Sequence, residues 1–489
     1  MKTYIIAFVL AFLTSVATTP LIRRLALRFG LVDHPHPERK IHTSAIPRVG
    51  GLVILFAVLI PLASFYLYPE GLAIQAVREA PGLFAGLFLA SGLVCVLGLI
   101  DDLRGMNAWV KLTGQVAIAM LMYFLEFRVT LLSNPFGSVI HLTWLSLPLT
   151  VLWYVVVMNA INLIDGLDGL ASGLSLIISL VLFILALVTA NGVLGVTTII
   201  LAGALIGFLL FNFNPARIFL GDSGSNLVGF LLATFSIMAH VKGQAAVALF
   251  LPVVALGVPF LDMMLSVLRR MASNQPLFTG DRKHIHHILL QRGFTQRTAA
   301  LFLYAMGVGF AAIAVLMMFT TSTWINALLF VVLLLTVVLI MRFLGYHRMI
   351  WYSFTNRGLL ESPTSRRLRG LLRDLMNQPP AERSWASFAR ALHHSGVTEV
   401  QVMDRDGLKS CALFSSLDPD HDTTESNFVS SSFRIRPAEG VVLELLFRWP
   451  AQQGQFAAMP NEEAYLRVAA DFAESLPVLV DGDEPMKEK

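Results

Sequence analysis

Apolar runs of 14 to 23 residues recur from Tyr4 to Phe343, and none follows. Crossing a hydrocarbon core as a helix takes about 20 apolar residues. The pattern therefore commits the first part of the chain to a membrane and leaves a water-soluble tail. Only 14% of the 489 residues are charged, against about 25% in an ordinary soluble domain, and the deficit follows the runs. Eleven spans are expected, near 4–21, 50–68, 82–100, 112–125, 142–164, 173–190, 193–211, 227–240, 245–264, 299–319 and 324–343. The fourth and eighth are short, which implies helices that tilt into the protein, extend into flanking residues or stop short of one surface.

The first run reads as a retained span. A cleaved leader carries its positive charge ahead of the apolar stretch, whereas here Lys2 stands alone before it and Arg23, Arg24 and Arg28 follow. With the N-terminus outside, the inner loops hold 15 Lys and Arg and the outer segments four, namely Lys2, Arg78, Arg128 and Lys242. The basic side is the cytoplasmic one. The expected fold is thus an all-α polytopic membrane protein of about 11 transmembrane helices over 1–345, with a small C-terminal cytoplasmic α/β domain. The two cysteines, Cys95 in an apolar run and Cys411 in the tail, have no metal-ligand spacing.

Acidic and histidine clusters beside spans are costly and usually functional. Four such stretches occur: Asp101 and Asp102 in GLIDDLRG; Asn159, Asn162, Asp165 and Asp168 in NAINLIDGLDGLASG; Asp222 and Ser223 in FNFNPARIFLGDSGSN; and His284, His286 and His287 in DRKHIHHILLQRGF. They follow the third, fifth, seventh and ninth spans, so all face the cytoplasm and are expected to converge on one site. Carboxylates with little sulfur nearby favour a hard cation held by oxygen, Mg²⁺ or Mn²⁺. Gly166, Gly169, Gly221 and Gly224 beside the acids let backbone approach a phosphate. The histidines, Arg282 and Lys283 supply donors and positive charge, and the loop from Gly30 to Gly51 adds Arg39, Lys40, His42 and Arg48. A metal, basic residues and a lipid-facing scaffold together suggest phosphoryl transfer to a lipid.

Each cluster also has a plainer reading. Asp101 and Asp102 could begin a solvated loop, and GDSG consists of common turn residues. Asp165 and Asp168, three apart, share a face if the segment is helical. The histidines alone would suit an interfacial loop, and Asp262 could pair with Arg269. A transporter would place its carboxylates near the midplane, often in paired halves. A channel would show filter loops. Neither pattern is seen, and a non-catalytic membrane scaffold or a transporter is kept as the alternative to an enzyme.

Taken in order, RKIHTSAIPRVGG (39–51), the Asp101–Asp102 pair, NAINLIDGLDGLASG, FLGDSGSNLVGF (219–230) and DRKHIHHILLQRGFTQR (281–297) closely resemble the polyprenyl-phosphate N-acetylhexosamine-1-phosphate transferase family. The likeness covers about residues 1 to 345. It implies an eleven-span fold in the bacterial inner membrane with its active site on the cytoplasmic face. The implied reaction joins UDP-N-acetylhexosamine and undecaprenyl phosphate, with Mg²⁺, to give the lipid diphosphate sugar and UMP. By the same resemblance Asp222 is a metal ligand and Asn162 a second. Asp101 and Asp102 match the pair that positions or deprotonates the lipid phosphate, and Asp165 and Asp168 match residues needed for activity near the nucleotide diphosphate. His284, His286 and His287 match the loop that contacts sugar and diphosphate. Lys40, His42, Arg48, Asn159 and Arg282 complete the expected substrate-binding set. The same loop sets the chain apart from muramoyl-pentapeptide transferases, whose histidines are adjacent. Leu103-Arg104-Gly105 after the acidic pair departs from other branches. N-acetylglucosamine is the default sugar, and direct attack by the lipid phosphate is favoured over an aspartyl-phosphate.

Beyond 345, SRRLRGLLRDLM (365–376) has a basic helical face suited to the inner leaflet or to a plain linker, which covers 346–380. A helix at 381–396 and runs such as VTEVQVMD, VVLELLFRW and YLRVAADFAESL suggest the α/β domain over 381–480, ahead of a disordered 481–489. His393 and His394 read as surface residues. Regulation, a homodimer contact or docking of a downstream glycosyltransferase would all suit this domain, and no nucleic acid is among the expected partners.

Overall fold

The computed structural model describes residues 1–33, 46–67, 81–132, 140–239, 250–272, 284–320 and 322–344, and four strands between 399 and 450. The chain forms two compact units, Met1–Met349 and Ile350–Lys489.

In the first unit each expected apolar run overlaps a helix, with 68, 240 and 245–249 lying outside the described residues. In chain order the helices are α1 (Lys2–Arg28), α2 (Gly50–Leu67), α3 (Pro81–Arg104), α4 (Ala108–Phe124), α5 (Ser146–Ile164), α6 (Leu170–Val188), α7 (Gly192–Asn212) and α8 (Gly221–Met238). The ninth run is divided at Leu256 into α9 (Phe250–Ala255) and α10 (Gly257–Ala272). A short α11 (Ile285–Gln291), which no apolar run announced, precedes α12 (Gln296–Phe319) and α13 (Thr323–Phe343). Among the described residues seven helices, α1, α3, α5, α6, α7, α12 and α13, are long and apolar enough to cross a membrane; α2, α4 and α10 are shorter apolar helices. Two antiparallel pairs connect them: β1 (Val32–Asp33) with β2 (Ile46–Pro47), and β3 (Leu131–Leu132) with β4 (Ile140–His141).

The centre of this unit is α8, buried at every residue from Ser223 to Met238 and packed on α2, α3, α5 and α6. Its first turns, Gly221–Asn226, lie ahead of the expected start at 227, an extension into flanking residues. They are helical because a distant carboxylate caps them, as described below. Likewise α4 starts ahead of the expected 112, because Asn107 caps it by accepting from Trp109 N at 2.9 Å.

In the second unit the described residues form an antiparallel sheet of β5 (Glu399–Asp404), β6 (Ser410–Ser415), β7 (Phe428–Ala438) and β8 (Val441–Pro450), ordered β6-β5-β8-β7. Two of these are the strands expected in VTEVQVMD and VVLELLFRW. Val402 of β5 and Phe433 of β7 both stand opposite Leu445 of β8 in the register. The basic stretch at 365–376, the helix expected at 381–396 and YLRVAADFAESL lie outside the described residues.

Candidate active site

The site is built on the polar end of α8. Gly221 adopts φ +73°, turning the chain so that two backbone N–H groups point at one acceptor. Asp222 N donates to Asp102 Oδ1 at 2.8 Å, and Ser223 N donates to Asp102 Oδ2 at 2.9 Å. Asp102 lies in the last turn of α3, so a carboxylate from one helix caps another and also meets the positive end of its dipole. The helices must come close for this. A Cβ on Gly98 would lie 2.4 Å from Ser223 Cα, and one on Gly51 would lie 2.7 Å from Gly224 N. Arg48 is carried alongside: Phe219 N donates to Pro47 O at 2.8 Å and Gly50 N to Phe219 O at 3.1 Å, fixing the backbone on both sides of it. Asp102→Asn would turn an amide N–H₂ toward a backbone N–H and leave that donor unpaired, at a cost of about 1–3 kcal/mol. A lower melting temperature, unrestored by Asp102→Glu, is the expected result in a thermal-shift assay.

Next to this cap the structure brings three of the expected residues, Asp101, Asn162 and Asp222, around a lysine that the sequence did not announce. Lys111 Nζ, from the first turn of α4, lies 2.8 Å from Asp101 Oδ2, 2.8 Å from Asp222 Oδ1 and 3.3 Å from Asn162 Oδ1. Asn162 Nδ2 donates to Asp222 Oδ1 and, at 2.8 Å, to Ser225 Oγ. Asp101 Oδ1 also accepts from Met106 N at 2.8 Å. One helical turn beyond Lys111, on the same face of α4, Gln115 donates to Asn226 Oδ1 at 2.9 Å and accepts from Asn159 Nδ2 at 2.8 Å. Asn226 in turn donates to Asp222 O at 2.7 Å. The amide of Asn159, expected on substrate, is thus spent on Gln115 and Val155 O. Lys111 and Gln115 were missed because a lone lysine and glutamine beside an apolar run look like a span boundary; their four-residue spacing was the available signal.

Asp165 and Asp168 are not on one helix face. Asp165 ends α5 with ψ +47°, and Gly169 before α6 has φ +75°, so they occupy a turn and diverge. Asp168 is buried, and its Oδ2 accepts from Asn214 Nδ2 at 2.9 Å and from Ala216 N at 3.0 Å, tying the α5–α6 turn to the α7–α8 connection. Asp165 has no hydrogen-bond partner among the described residues. Its carboxyl is held well above the usual carboxylate range, first by desolvation and then by the charges of Asp222 and Asp102, with Arg48 partly offsetting them.

Over this turn sits α11. His286 is buried, with neither ring nitrogen partnered among the described residues, and its Nε2 lies 2.2 Å from where a Cβ on Gly166 would be, so only glycine fits beneath the ring. Burial, then His287, pushes the His286 imidazole down to about 3, keeping it neutral, one nitrogen a donor and the other an acceptor. His287 packs on it at a ring separation of 4.3 Å. His284, stacked on His286 at a ring separation of 5.7 Å, is tied to Asp262: its Nδ1 pairs with Asp262 Oδ2 at 2.9 Å, while Asp262 Oδ1 accepts from Ile285 N at 2.7 Å. Asp262 therefore anchors α11; the side chain of Arg269, suggested as its partner, lies outside the described residues, as do Lys40, His42 and Arg282.

Among the described residues no group of three or more His, Cys, Asp or Glu is arranged to hold a metal. What the site offers is one carboxylate oxygen, on Asp222, and one amide oxygen, on Asn162, around a common positive charge. That donor set suits Mg²⁺, which takes one or two carboxylates from protein and its other ligands from water and phosphate.

The model of glycosyl transferase family 4 matches residues 84–240, from α3 through α8, and so takes in Asp101, Lys111, Asn162, Asp165 and Asp222. A probable undecaprenyl-phosphate N-acetylglucosaminyl 1-phosphate transferase of Bacillus subtilis is 33% identical over 334 residues, covering 68% of this chain and 89% of that protein. A decaprenyl-phosphate N-acetylglucosaminephosphotransferase of Mycobacterium tuberculosis is 36% identical over 325 residues, 60% of this chain and 77% of that one. A phospho-N-acetylmuramoyl-pentapeptide-transferase of Staphylococcus carnosus is 30% identical over 303 residues, 58% and 88% respectively. An integral membrane protein with a carboxylate–lysine cluster at one end of a buried helix is thereby defined. The chain belongs to glycosyl transferase family 4.

Proposed function

We propose that this chain transfers N-acetylglucosamine 1-phosphate from UDP-N-acetylglucosamine to undecaprenyl phosphate, releasing UMP and starting a cell-surface polysaccharide. The observation that carries the reading is the meeting of Asp101, Asp222 and Asn162 on Lys111, beside the Asp165 carboxylate, which has no hydrogen-bond partner among the described residues and feels the charges of Asp222 and Arg48. Two relatives with 33% and 36% identity are named as N-acetylglucosamine phosphotransferases, which favours that sugar over a muramoyl peptide. We further place eleven spans in the bacterial inner membrane, N-terminus outside, with the site and the second unit in the cytoplasm; the crowding of basic loop residues on one side supports this.

In this reading Asp222 and Asn162 hold Mg²⁺, which when bound offsets negative charge across the donor diphosphate. Lys111, steadied by Asp101, presents its ammonium to a phosphate oxygen. Asp165 and Arg48 face the reacting groups, Asp165 as the acceptor of a proton from the lipid phosphate. Neutral His286, with His287, takes the sugar and diphosphate, and its two free ring nitrogens match a ligand with both donors and acceptors. Asp102 and Asp168 keep α8 and the α5–α6 turn in register with the site. Lipid phosphate oxygen attacks the β-phosphorus directly, and UMP leaves with the β-phosphorus–oxygen bond pair, so catalysis is positioning and electrostatics.

Membranes carrying the full chain, given labelled UDP-N-acetylglucosamine, undecaprenyl phosphate and Mg²⁺, are expected to yield labelled lipid and UMP in equal amounts, with both abolished by EDTA. Product only from another UDP-sugar would replace the donor. Absence of product from every UDP-N-acetylhexosamine and from the muramoyl donor would overturn the reading. Label trapped on Asp165 or Asp101 during turnover would overturn direct attack.

A further inference from the structure

Lys111 occupies the oxygens that a divalent ion would need. Its ammonium is 2.8 Å from Asp222 Oδ1 and 3.3 Å from Asn162 Oδ1, and these are the two side chains assigned above to the metal. A second carboxylate outside that set, Asp101 Oδ2, lies 2.8 Å away on the same nitrogen. The lysine backbone is pinned on both sides, by Asn107 capping α4 and by Gln115 locked between Asn159 and Asn226. Only the four-carbon stem is left to move, and lysine is the side chain suited to that: a point charge on a flexible arm.

We propose that Lys111 is a resident cation that stands in for the metal, preserves the arrangement of Asp222 and Asn162, and yields those oxygens when metal and donor arrive together. The inference rests on the reading that Asp222 and Asn162 are metal ligands. A singly charged ammonium and a divalent ion cannot share Asp222 Oδ1 without strong repulsion at such separations. On displacement the ammonium keeps Asp101 and turns to the donor phosphate, the strongest new acceptor in reach. Metal binding to the free protein is therefore weak, and donor and metal load as one event. The cluster has a structural use as well: Asp101 and Asp222 converge with no other described cation on them, and the ammonium keeps them from pushing apart.

Full-length protein in detergent, without nucleotide, is titrated with Mn²⁺ and free ion is followed by electron paramagnetic resonance. Lys111→Met is expected to bind Mn²⁺ at least about tenfold more tightly than wild type, and Lys111→Arg, which keeps the charge, to stay near wild type. Lys111→Met should also melt lower than wild type in EDTA and regain that loss in Mg²⁺. Equal or weaker Mn²⁺ binding by Lys111→Met overturns the proposal, and so does a Lys111→Met protein that fails to fold whether purified with Mg²⁺ or without it. If wild type makes labelled lipid while all three proteins bind Mn²⁺ alike, this inference fails and the transferase reading stands. If wild type makes none while Lys111→Met gains affinity, the exchange stands and the transferase reading fails.

Discussion

Asp222→Asn is expected to lower turnover at least about a thousandfold, equivalent to roughly 4 kcal/mol of transition-state stabilisation, while leaving the protein folded. The two effects separate because Asp222 is held by its backbone and works through its side chain. Its N–H is bound to Asp102 and its carbonyl accepts from Asn226, and neither bond involves the carboxylate. The side-chain oxygen faces Lys111 and Asn162, and an isosteric amide keeps its shape but not its charge. Lys111 retains Asp101, so no lone cation is left in the cluster, and a melting-temperature change worth no more than about 1 kcal/mol is expected. Single-turnover assays with the solubilised variant would measure the loss. Residual turnover within tenfold of wild type would remove Asp222 from the centre of the chemistry.

The largest effect on folding is expected from Gly98→Ala. The added methyl would meet Ser223 Cα at 2.4 Å, Asp222 O at 2.5 Å and Ser223 N at 2.6 Å. These are backbone atoms in the first turn of a helix buried on all sides, so no side-chain rotation relieves them. Overpacking costs typically about 1–3 kcal/mol where side chains can yield, and more is expected here because α3 and α8 must separate. That movement also pulls Asp102 away from the N–H groups it caps. Low recovery of monodisperse protein and background transfer activity are the expected results. Gly92→Ala, on the same helix with nothing within 4 Å of the new methyl, is the matched control and should behave as wild type. If Gly98→Ala is equally benign, the close approach of α3 to α8 is wrong.

The helices were legible because membrane insertion imposes a coarse rule, a long apolar run, that needs no partner to be recognised. The polar clusters were legible for a related reason: acids and histidines beside spans are conspicuous against such a background. What the sequence hid is non-local. Gly221–Asn226 reads as turn chemistry, and only Asp102, far away in the chain, makes it helical. Asp165 and Asp168 have helical spacing, yet the left-handed Gly169 and the bonds from Asp168 to Asn214 and Ala216 send them different ways. Lys111 shows its importance only once three chain segments meet around its nitrogen. Residue type announced that chemistry was present; the division between groups that hold the site and groups that face a ligand required the packing.

The capped start of α8 also bears on how such a chain can be made. Without its neighbours, Gly221–Asn226 would expose two backbone donors and several polar side chains that are costly to leave facing lipid. Their partners, Asp102 on α3, Gln115 on α4 and Asn162 on α5, all lie nearer the N-terminus, so a ribosome delivers every one of them before α8 emerges. The polar start of α8 thus emerges when its partners are already made, and a rearranged gene placing this helix first would deliver those polar groups with nothing to receive them.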